Sequence, residues 1–354
     1  SGQGYNPAWE EKVTSILTAG AVVFIFLLVF IFLFYKYAWA DRETRRWGII
    51  VAGILFAVIS GKFVLSRLWS GYISEHLIFF FLPSPKVANP IWFILAVLLF
   101  LSFLKWRDKL SRFKIKYFLL AILGFFFLFS TVVAGIREGR ASIADPMTRT
   151  HWEYTGNIGL IENTHDFLRD YIKLQPELAQ HAITHPPGYS LLVYYFSKIV
   201  GVDFLGISLL IILTAGLSIF PIYYLLKKFF EEETVRKVLQ IYIFIPGLVF
   251  MSGTSLDAFF LTITWTAFAL VFAGWSASWR LALLGGLAAG LALISNFLFL
   301  LTAPVWLAMV IYIVSKTAKS GRALVFLRAL ISALALVMFF VVLWQWADYS
   351  IIKN

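Results

Sequence analysis

The chain has 354 residues, of which 60% are hydrophobic and only 14% are charged, a composition that excludes a soluble globular protein and predicts a multi-pass membrane protein. It contains no cysteine, which excludes disulfides, zinc–thiolate sites and thiol nucleophiles. The net charge of +11 is spread over short basic clusters between apolar runs, which indicates membrane orientation rather than nucleic-acid binding.

Ten apolar runs are predicted to cross the membrane, because about 20 helical residues span a bilayer core of about 30 Å. In chain order they are 16–38, 48–70, 90–105, 117–136, 203–226, 238–253, 256–275, 281–296, 298–315 and 323–345. The first run is too long and too aromatic for the apolar part of a signal peptide, so we expect it to remain as a helix. The sequence therefore predicts an all-α polytopic membrane bundle of about ten transmembrane helices.

Basic clusters between these runs predict which connections face the cytoplasm. They lie at 36–46, 105–116, 227–237, 280 and 316–322. This pattern places the polar segment 137–188 on the outer side. Only one full crossing then fits between Gly188 and Lys227, so the 13-residue run 188–200, about 20 Å long as a helix, is predicted to lie at the outer interface or to re-enter partway. The alternative is a tilted short span.

The predicted outer segment 137–188 is the one long polar stretch of the chain, and it holds four of the five histidines. Residues 159–171 read as a short amphipathic helix, with Phe167 and Leu168 on its apolar face. The segment ends in Pro186-Pro187, which keeps the backbone extended and sets a rigid approach to the next helix. We expect the chemistry of the protein to reside in this segment.

The order of these features resembles the GT-C superfamily of membrane glycosyltransferases, which includes protein O-mannosyltransferases and lipid A aminoarabinose transferases. An acidic and aromatic outer loop closes with His185-Pro186-Pro187-Gly188, and an interfacial helix and the long helix 203–226 follow. The resemblance covers about 117–315, including Ser252 to Asp257 in a second outer loop and the helices 280–302. It implies N-terminal helices in 1–116 and a GT-C-like core in 117–354, with 137–188 as an outer catalytic loop.

The resemblance also implies a reaction and its partners. The donor would be a sugar carried on polyprenyl phosphate, and the acceptor would be a hydroxyl of a protein, a lipid or a cell-envelope glycan. Other partners would be membrane lipids. Independently of the resemblance, the spread of the basic residues argues against nucleic acid, and the absence of a C-terminal retention signal favours a prokaryotic plasma membrane. The family often places adjacent acidic residues early in this loop, where this chain has Thr150-His151 instead. That departure leaves the choice of the catalytic base open.

Transfer of a sugar to a hydroxyl requires a base for the acceptor proton and cations for the departing phosphate. Asp145 is the first candidate for the base and Glu153 is the second, since a partly desolvated carboxylate gains basicity. Candidates for substrate binding are Arg137, Arg140, Arg149, His151, Tyr154, His181, His185 and Asp257, with Arg169 and Lys173 as further loop cations. Arginine is suited to this task because it can hold phosphate in a bidentate manner.

Each acid also has a purely structural interpretation. Asp145 could begin a turn or cap a helix, as Asp commonly does. Glu153 could pair with Arg149 at helical spacing, and Asp257 could cap the helix that follows it. These alternatives stay open at the level of sequence.

A divalent metal is compatible with the segment, although nothing in the sequence requires one. His181 and His185 are four residues apart and would share a helix face able to hold a metal. Pro186 disfavours helical geometry at His185, however, which makes hydrogen bonding to sugar or phosphate the preferred role for that residue.

Two other classes of function compete with the transferase. A membrane transporter of a small solute or lipid-linked precursor is the first alternative, but the predicted spans hold few ionisable residues, and Lys62 and Arg67 lie close enough to a span end to reach the surface. We also find no internal repeat of the kind that transporters show. A non-catalytic membrane scaffold is the second alternative, and it would leave the polar segment without a pocket.

Overall fold

The computed structural model describes residues 89–350 of the chain, all within the unit Val87–Asn354. This part of the chain forms helices and no strand, so the all-α class is confirmed for these residues. The predicted spans 16–38 and 48–70, together with the basic cluster 36–46, lie outside the described residues. The total of about ten transmembrane helices, and the division at 116/117, therefore stay predictions.

The described residues form fourteen α-helices and four 3₁₀-helices. The α-helices are α1 Pro90–Leu110, α2 Ile115–Ala134, α3 Arg140–Thr148, α4 Thr164–Leu174, α5 Gln180–Ile183, α6 Gly188–Val200, α7 Phe204–Gly216, α8 Ile219–Leu226, α9 Glu232–Tyr242, α10 Pro246–Thr254, α11 Asp257–Ala277, α12 Trp279–Ser295, α13 Ala303–Lys316 and α14 Arg322–Ala347. The 3₁₀-helices are Tyr154–Leu160, Gln175–Glu177, Phe297–Thr302 and Lys319–Gly321. The predicted helix 188–200 is present with those bounds as α6.

Six of these helical stretches are long and apolar enough to cross a membrane by length and composition, which shows a multi-pass membrane protein. They are Pro90–Leu110, Ile115–Ala134, Phe204–Leu226, Asp257–Ala277, Phe297–Lys316 and Lys319–Ala347. Each overlaps one of the predicted spans. The predicted span 281–296 is the apolar helix α12, whose 17 residues are slightly fewer than a full crossing usually needs.

The predicted span 238–253 is not one straight helix. It is formed by part of α9 and by α10, which meet at an angle of 52°. Pro246 cannot continue the hydrogen bonds of α9, so it begins α10 instead. The buried Arg236 of α9 donates hydrogen bonds to the carbonyls of Ser111 and Phe113, at 3.1 and 2.8 Å. These bonds hold α9 against the basic connection between α1 and α2.

The amphipathic helix predicted at 159–171 begins later than expected, so its start was wrong. Residues 154–160 form a 3₁₀-helix, and α4 starts at Thr164. The reason is the cap, since the Asn163 side chain accepts a hydrogen bond of 2.9 Å from the backbone N–H of Asp166. Phe167 and Leu168 are buried, as the predicted apolar face requires.

Helix α12 packs closely between α11 and α14. A Cβ at Gly286 of α12 would lie only 2.2 Å from the Ser332 carbonyl oxygen of α14, so the two helices approach as closely as glycine allows. The Ser332 hydroxyl donates to the Ala282 carbonyl at 2.8 Å and accepts from the Trp275 indole at 3.0 Å. These three helices therefore form a rigid frame.

The polar segment and several helix ends share one hydrophobic cluster. Tyr154 and Tyr171 of the segment pack in it with Leu256 before α11, Ile294 near the end of α12 and Ala347 at the end of α14. The loop 252–257 and the polar segment therefore lie at the same end of the helices. The sequence prediction that both are extracytoplasmic requires this arrangement.

Single cysteines can test the side on which these segments lie, since the chain has no cysteine of its own. We expect Lys173→Cys, whose side chain is 82% exposed, and Val202→Cys, 65% exposed, to react with a membrane-impermeant maleimide on intact cells. Lys237→Cys should react only after permeabilisation, because it belongs to the basic cluster 227–237, which is predicted to face the cytoplasm. Opposite results for Lys173→Cys and Val202→Cys would mean that α6 spans the membrane.

Candidate functional site

The polar segment is a folded lobe held together by buried hydrogen bonds. The Asn157 side chain donates to the Ser190 hydroxyl at 2.8 Å and accepts from the Ala179 backbone N–H at 2.8 Å. The Tyr171 hydroxyl donates to the carbonyl of His185 at 2.6 Å. These contacts connect the 3₁₀-helix 154–160, α4, the histidine turn and α6, so the side chains on them have defined positions.

Glu153 is the most buried acid of the segment, with 9% of its surface exposed. One of its carboxylate oxygens lies 3.5 Å from Nδ1 of His181. The backbone N–H of His181 donates to the carbonyl of Trp152, and this bond holds the segment of Glu153 against the segment of His181. Burial raises the pKa of Glu153 above its ordinary value, and the neighbouring His181 and Arg149 oppose that rise only in part. Glu153 is therefore a carboxylate of increased basicity.

Asp145, the first candidate for the base from the sequence, has a different environment. It lies inside α3, where its carboxylate is 2.6 Å from Arg149 and 3.7 Å from Arg137. The proposed pair between Glu153 and Arg149 is replaced by this Asp145–Arg149 pair. Arg140 is exposed and forms no ion pair with any residue in 89–350. Asp145 thus orients two arginines of the segment.

The remaining loop cations, Arg169 and Lys173, form ion pairs with carboxylates of their own helix, α4. Arg169 contacts Asp166 and Asp170 at 2.8 and 2.6 Å, and Lys173 contacts Asp170 at 2.9 Å. All of these pairs lie on α4 and are largely exposed. Arg169 and Lys173 are therefore occupied with neighbouring carboxylates rather than directed at Glu153.

The histidines do not form a shared helix face. His181 lies in α5, whereas His185 follows the end of that helix and its Nδ1 is 2.7 Å from the carbonyl oxygen of His181. His151 is exposed beside Trp152, with ring centroids 5.9 Å apart. Within residues 89–350, no three His, Cys, Asp or Glu side chains are grouped closely enough to hold a metal ion.

Two buried tyrosines line the site beside the histidines. The Tyr154 ring centroid is 5.3 Å from that of Tyr189, 6.2 Å from His185 and 6.4 Å from His181. Burial raises the pKa of both tyrosines, and the negative charge of Asp257 adds to that effect. Both side chains therefore stay protonated and act as hydroxyl groups.

Asp257 belongs to the same group, although it lies about a hundred residues away in the chain. It is the first residue of α11 and accepts a hydrogen bond of 2.9 Å from the Ser255 hydroxyl, so it does not cap its own helix through its side chain. Its charge raises the pKa of Glu153 as well as those of the two tyrosines. The predicted residues that the fold brings together are Glu153, Tyr154, His181, His185 and Asp257, with Arg149 at their edge.

Two further side chains of the site were not predicted as binding residues. They are Tyr189, the second residue of α6, and Asn296, which directly follows α12. Both are almost completely buried, at 1% and 3% exposure. The signal in the sequence was the amide of Asn296 between two long apolar runs, because a buried amide needs hydrogen-bond partners.

Apolar grooves adjoin this end of the helices. One, of about 330 Å³, lies among α11, α12, α13 and α14, and Leu293, Phe299 and Leu300 line it close to Asn296 in the chain. A second, of about 400 Å³, lies between α12 and α14 and includes Phe339 and Leu343, which also pack against the core of the polar segment. Two side chains of the second groove therefore contact the core of the polar segment directly.

The described site thus combines a buried carboxylate, neutral hydroxyl and amide donors, and cations at its edge, next to apolar grooves. Comparison with other proteins adds no relative to this description. The chain matches no protein-family model, no curated protein and no solved structure.

Proposed function

We propose that this protein is a membrane glycosyltransferase that moves a sugar from a polyprenyl-phosphate donor to an acceptor hydroxyl on the extracytoplasmic side. The observation that supports this proposal best is the position of Glu153. Glu153 is 9% exposed, and its carboxylate lies 3.5 Å from His181 in a polar segment whose core packs against Phe339 and Leu343 of an apolar groove. A buried base next to a lipid-accessible surface suits a reaction between a lipid-linked donor and a hydroxyl.

In this reaction Glu153 takes the proton of the acceptor hydroxyl while the acceptor oxygen attacks the anomeric carbon of the sugar. The bond between that carbon and the phosphate oxygen breaks, and polyprenyl phosphate leaves with the electron pair. Glu153 then gives its proton to water. Burial favours this role, because a carboxylate whose pKa is raised toward the working pH is a stronger base.

The departing phosphate needs positive charge, and arginines in α3 and directly beside it provide that charge. Arg137 and Arg149 are both held by Asp145, so their guanidinium groups are oriented before substrate binds. Arg140, in α3 itself, has no ionic partner among the described residues and is a further candidate. In this proposal Asp145 is a positioning residue that orients cations, and Glu153 is the base.

The apolar grooves suit the polyprenyl tail. Their walls consist almost entirely of aliphatic and aromatic side chains, and such surface favours hydrocarbon over a charged solute. A tail lying there would leave the phosphate and sugar at the polar segment. The lipid would then be bound across the boundary between membrane and water.

The direct test uses the purified full chain in lipid nanodiscs with a panel of labelled polyprenyl-phosphate sugars and simple acceptor alcohols. We expect at least one donor to release polyprenyl phosphate, with the sugar found on the acceptor or on water. The control is a polyprenyl-phosphate sugar whose anomeric oxygen is replaced by carbon, which should bind without reacting. If no donor reacts while a solute crosses reconstituted vesicles, the protein is a transporter.

A further inference from the structure

Two buried polar atoms of the site have no hydrogen-bond partner within the described residues. They are the hydroxyl oxygen of Tyr189 and the amide nitrogen of Asn296. An unpaired buried polar group costs about 1–3 kcal/mol, and folded proteins rarely leave two of them in one place. The other four such atoms in 89–350 are Ser and Thr hydroxyls on helices, which can rotate toward carbonyls of their own helix.

The chain brings these two side chains together through a close contact between helices. A Cβ at Gly188 would lie 2.6 Å from the Ile294 carbonyl oxygen, so the start of α6 rests directly on the end of α12. Tyr189 and Asn296 follow these two contact points. The Asn296 amide is near enough to oppose the rise in the pKa of Tyr189, although the two groups do not reach hydrogen-bonding geometry.

Both groups are fixed as hydrogen-bond donors. The Asn296 side-chain oxygen accepts a hydrogen bond of 2.9 Å from the backbone N–H of Leu298, so its NH₂ group is the end that remains unpaired. The Tyr189 ring is held beside Tyr154 and His185, with centroid distances of 5.3 and 6.3 Å. Its hydroxyl stays protonated for the reason given above. The site therefore presents two neutral donors in fixed positions.

The surrounding charges decide which ligand these donors suit. The negative charge of Asp257 raises the pKa of both Tyr189 and Tyr154, and that of Glu153 raises the pKa of Tyr154, so both carboxylates lie near this pair of tyrosines. They would repel a phosphate, whereas a sugar hydroxyl can donate to a carboxylate while it accepts from a neutral donor. We infer that Tyr189 and Asn296 form a subsite for ring hydroxyls of the donor sugar. This inference rests on the proposed function, since it names what the site recognises.

The test compares two Tyr→Phe variants of the full chain in detergent. Tyr189→Phe removes a hydroxyl without a partner, so the melting temperature should stay the same or rise. The matched control is Tyr171→Phe, which removes a buried hydroxyl that donates to the carbonyls of Ala182 and His185 and should therefore lower the melting temperature. Dissociation constants are measured for three probes, namely polyprenyl-phosphate hexose, polyprenyl phosphate without sugar, and a short alkyl glycoside of the same hexose.

For the parent protein we expect the sugar-bearing lipid to bind more tightly than the sugar-free lipid. Tyr189→Phe should weaken binding of the sugar-bearing lipid about tenfold and leave the sugar-free lipid unchanged, as expected for one lost hydrogen bond. The subsite is wrong if Tyr189→Phe keeps the full preference for the sugar-bearing lipid, and the transferase proposal survives that result. If neither lipid binds the parent protein, the transferase proposal fails. In that case, alkyl glycoside binding that is weakened by Tyr189→Phe still supports the subsite. If the alkyl glycoside does not bind the parent protein, or binds Tyr189→Phe equally well, the subsite is overturned.

Discussion

Replacement of Glu153 by Gln should reduce sugar transfer by about 10²- to 10⁴-fold, the usual contribution of a positioned general base. Gln has nearly the same shape and keeps polar atoms beside His181, so the fold should be retained. The measurement is the initial rate of polyprenyl phosphate release at saturating donor. Binding of the sugar-bearing lipid should change little, because the lost function is proton removal.

The same substitution should not reduce stability near neutral pH. Burial raises the pKa of Glu153 above its ordinary value of 4.5, so the folded protein binds this proton more tightly than the unfolded chain does. The contribution of Glu153 to stability therefore falls as pH rises from about the ordinary value through the raised pKa. Glu153→Gln should accordingly melt at the same or a higher temperature above that window, and the difference should vanish at lower pH.

Asp145→Asn is the matched control for this prediction. Asp145 is 30% exposed at its side chain and holds Arg149 and Arg137, so its loss should lower transfer only several-fold by loosening those cations. In the parent protein, the transfer rate should fall on acidification at a higher pH than for a base with the ordinary glutamate pKa of 4.5, because burial raises the pKa of Glu153. Full activity of Glu153→Gln together with complete loss in Asp145→Asn would reverse the two roles.

The largest structural effect is expected for Gly156→Ala. A Cβ at this position would lie 1.9 Å from the Thr150 carbonyl oxygen, and backbone cannot move aside as a side chain can. The Gly156 N–H donates to the Glu153 carbonyl at 3.0 Å, so the clash falls on the turn that positions the proposed base. We expect a loss of about 2–4 kcal/mol in the free energy of unfolding, as for severe overpacking.

Transfer should fall in Gly156→Ala as well, since a displacement of about 1 Å at a catalytic group can cost about 10²-fold. Gly159→Ala is the control from the same 3₁₀-helix, because a Cβ there would meet no atom within 4 Å. Its stability should stay within about 0.5 kcal/mol of the parent. Thermal unfolding and the transfer rate of both variants provide the comparison. Equal behaviour of the two variants would show that the 150–156 turn does not control the site.

The membrane-spanning helices were predictable because the bilayer imposes a local rule. A lipid-exposed segment must satisfy its own backbone hydrogen bonds, so about 20 apolar residues in sequence already specify a helix. The stretches Pro90–Leu110, Ile115–Ala134 and Phe204–Leu226 follow this rule closely. The packing of α9 does not, since Arg236 bonds it to residues more than a hundred positions away.

The location of the candidate site and most of its residue types were predictable. Which of its two acids is the better candidate for the base was not. Asp145 and Glu153 are both acids of one polar segment, and nothing local distinguishes their burial. Packing of Tyr154 against Tyr189 and the approach of His181 bury Glu153, whereas two arginines and solvent surround Asp145. Tyr189 and Asn296 likewise meet only because Gly188 allows α6 to rest on α12.

The sequence by itself therefore determined the helical class of the described residues, the six apolar stretches and the bounds of α6, since hydropathy, length and proline act over short distances. Only the tertiary structure decided which acid is desolvated, which cations are already paired and which buried donors lack partners. Those properties depend on contacts between residues far apart in the chain, and such contacts leave no pattern in the local sequence.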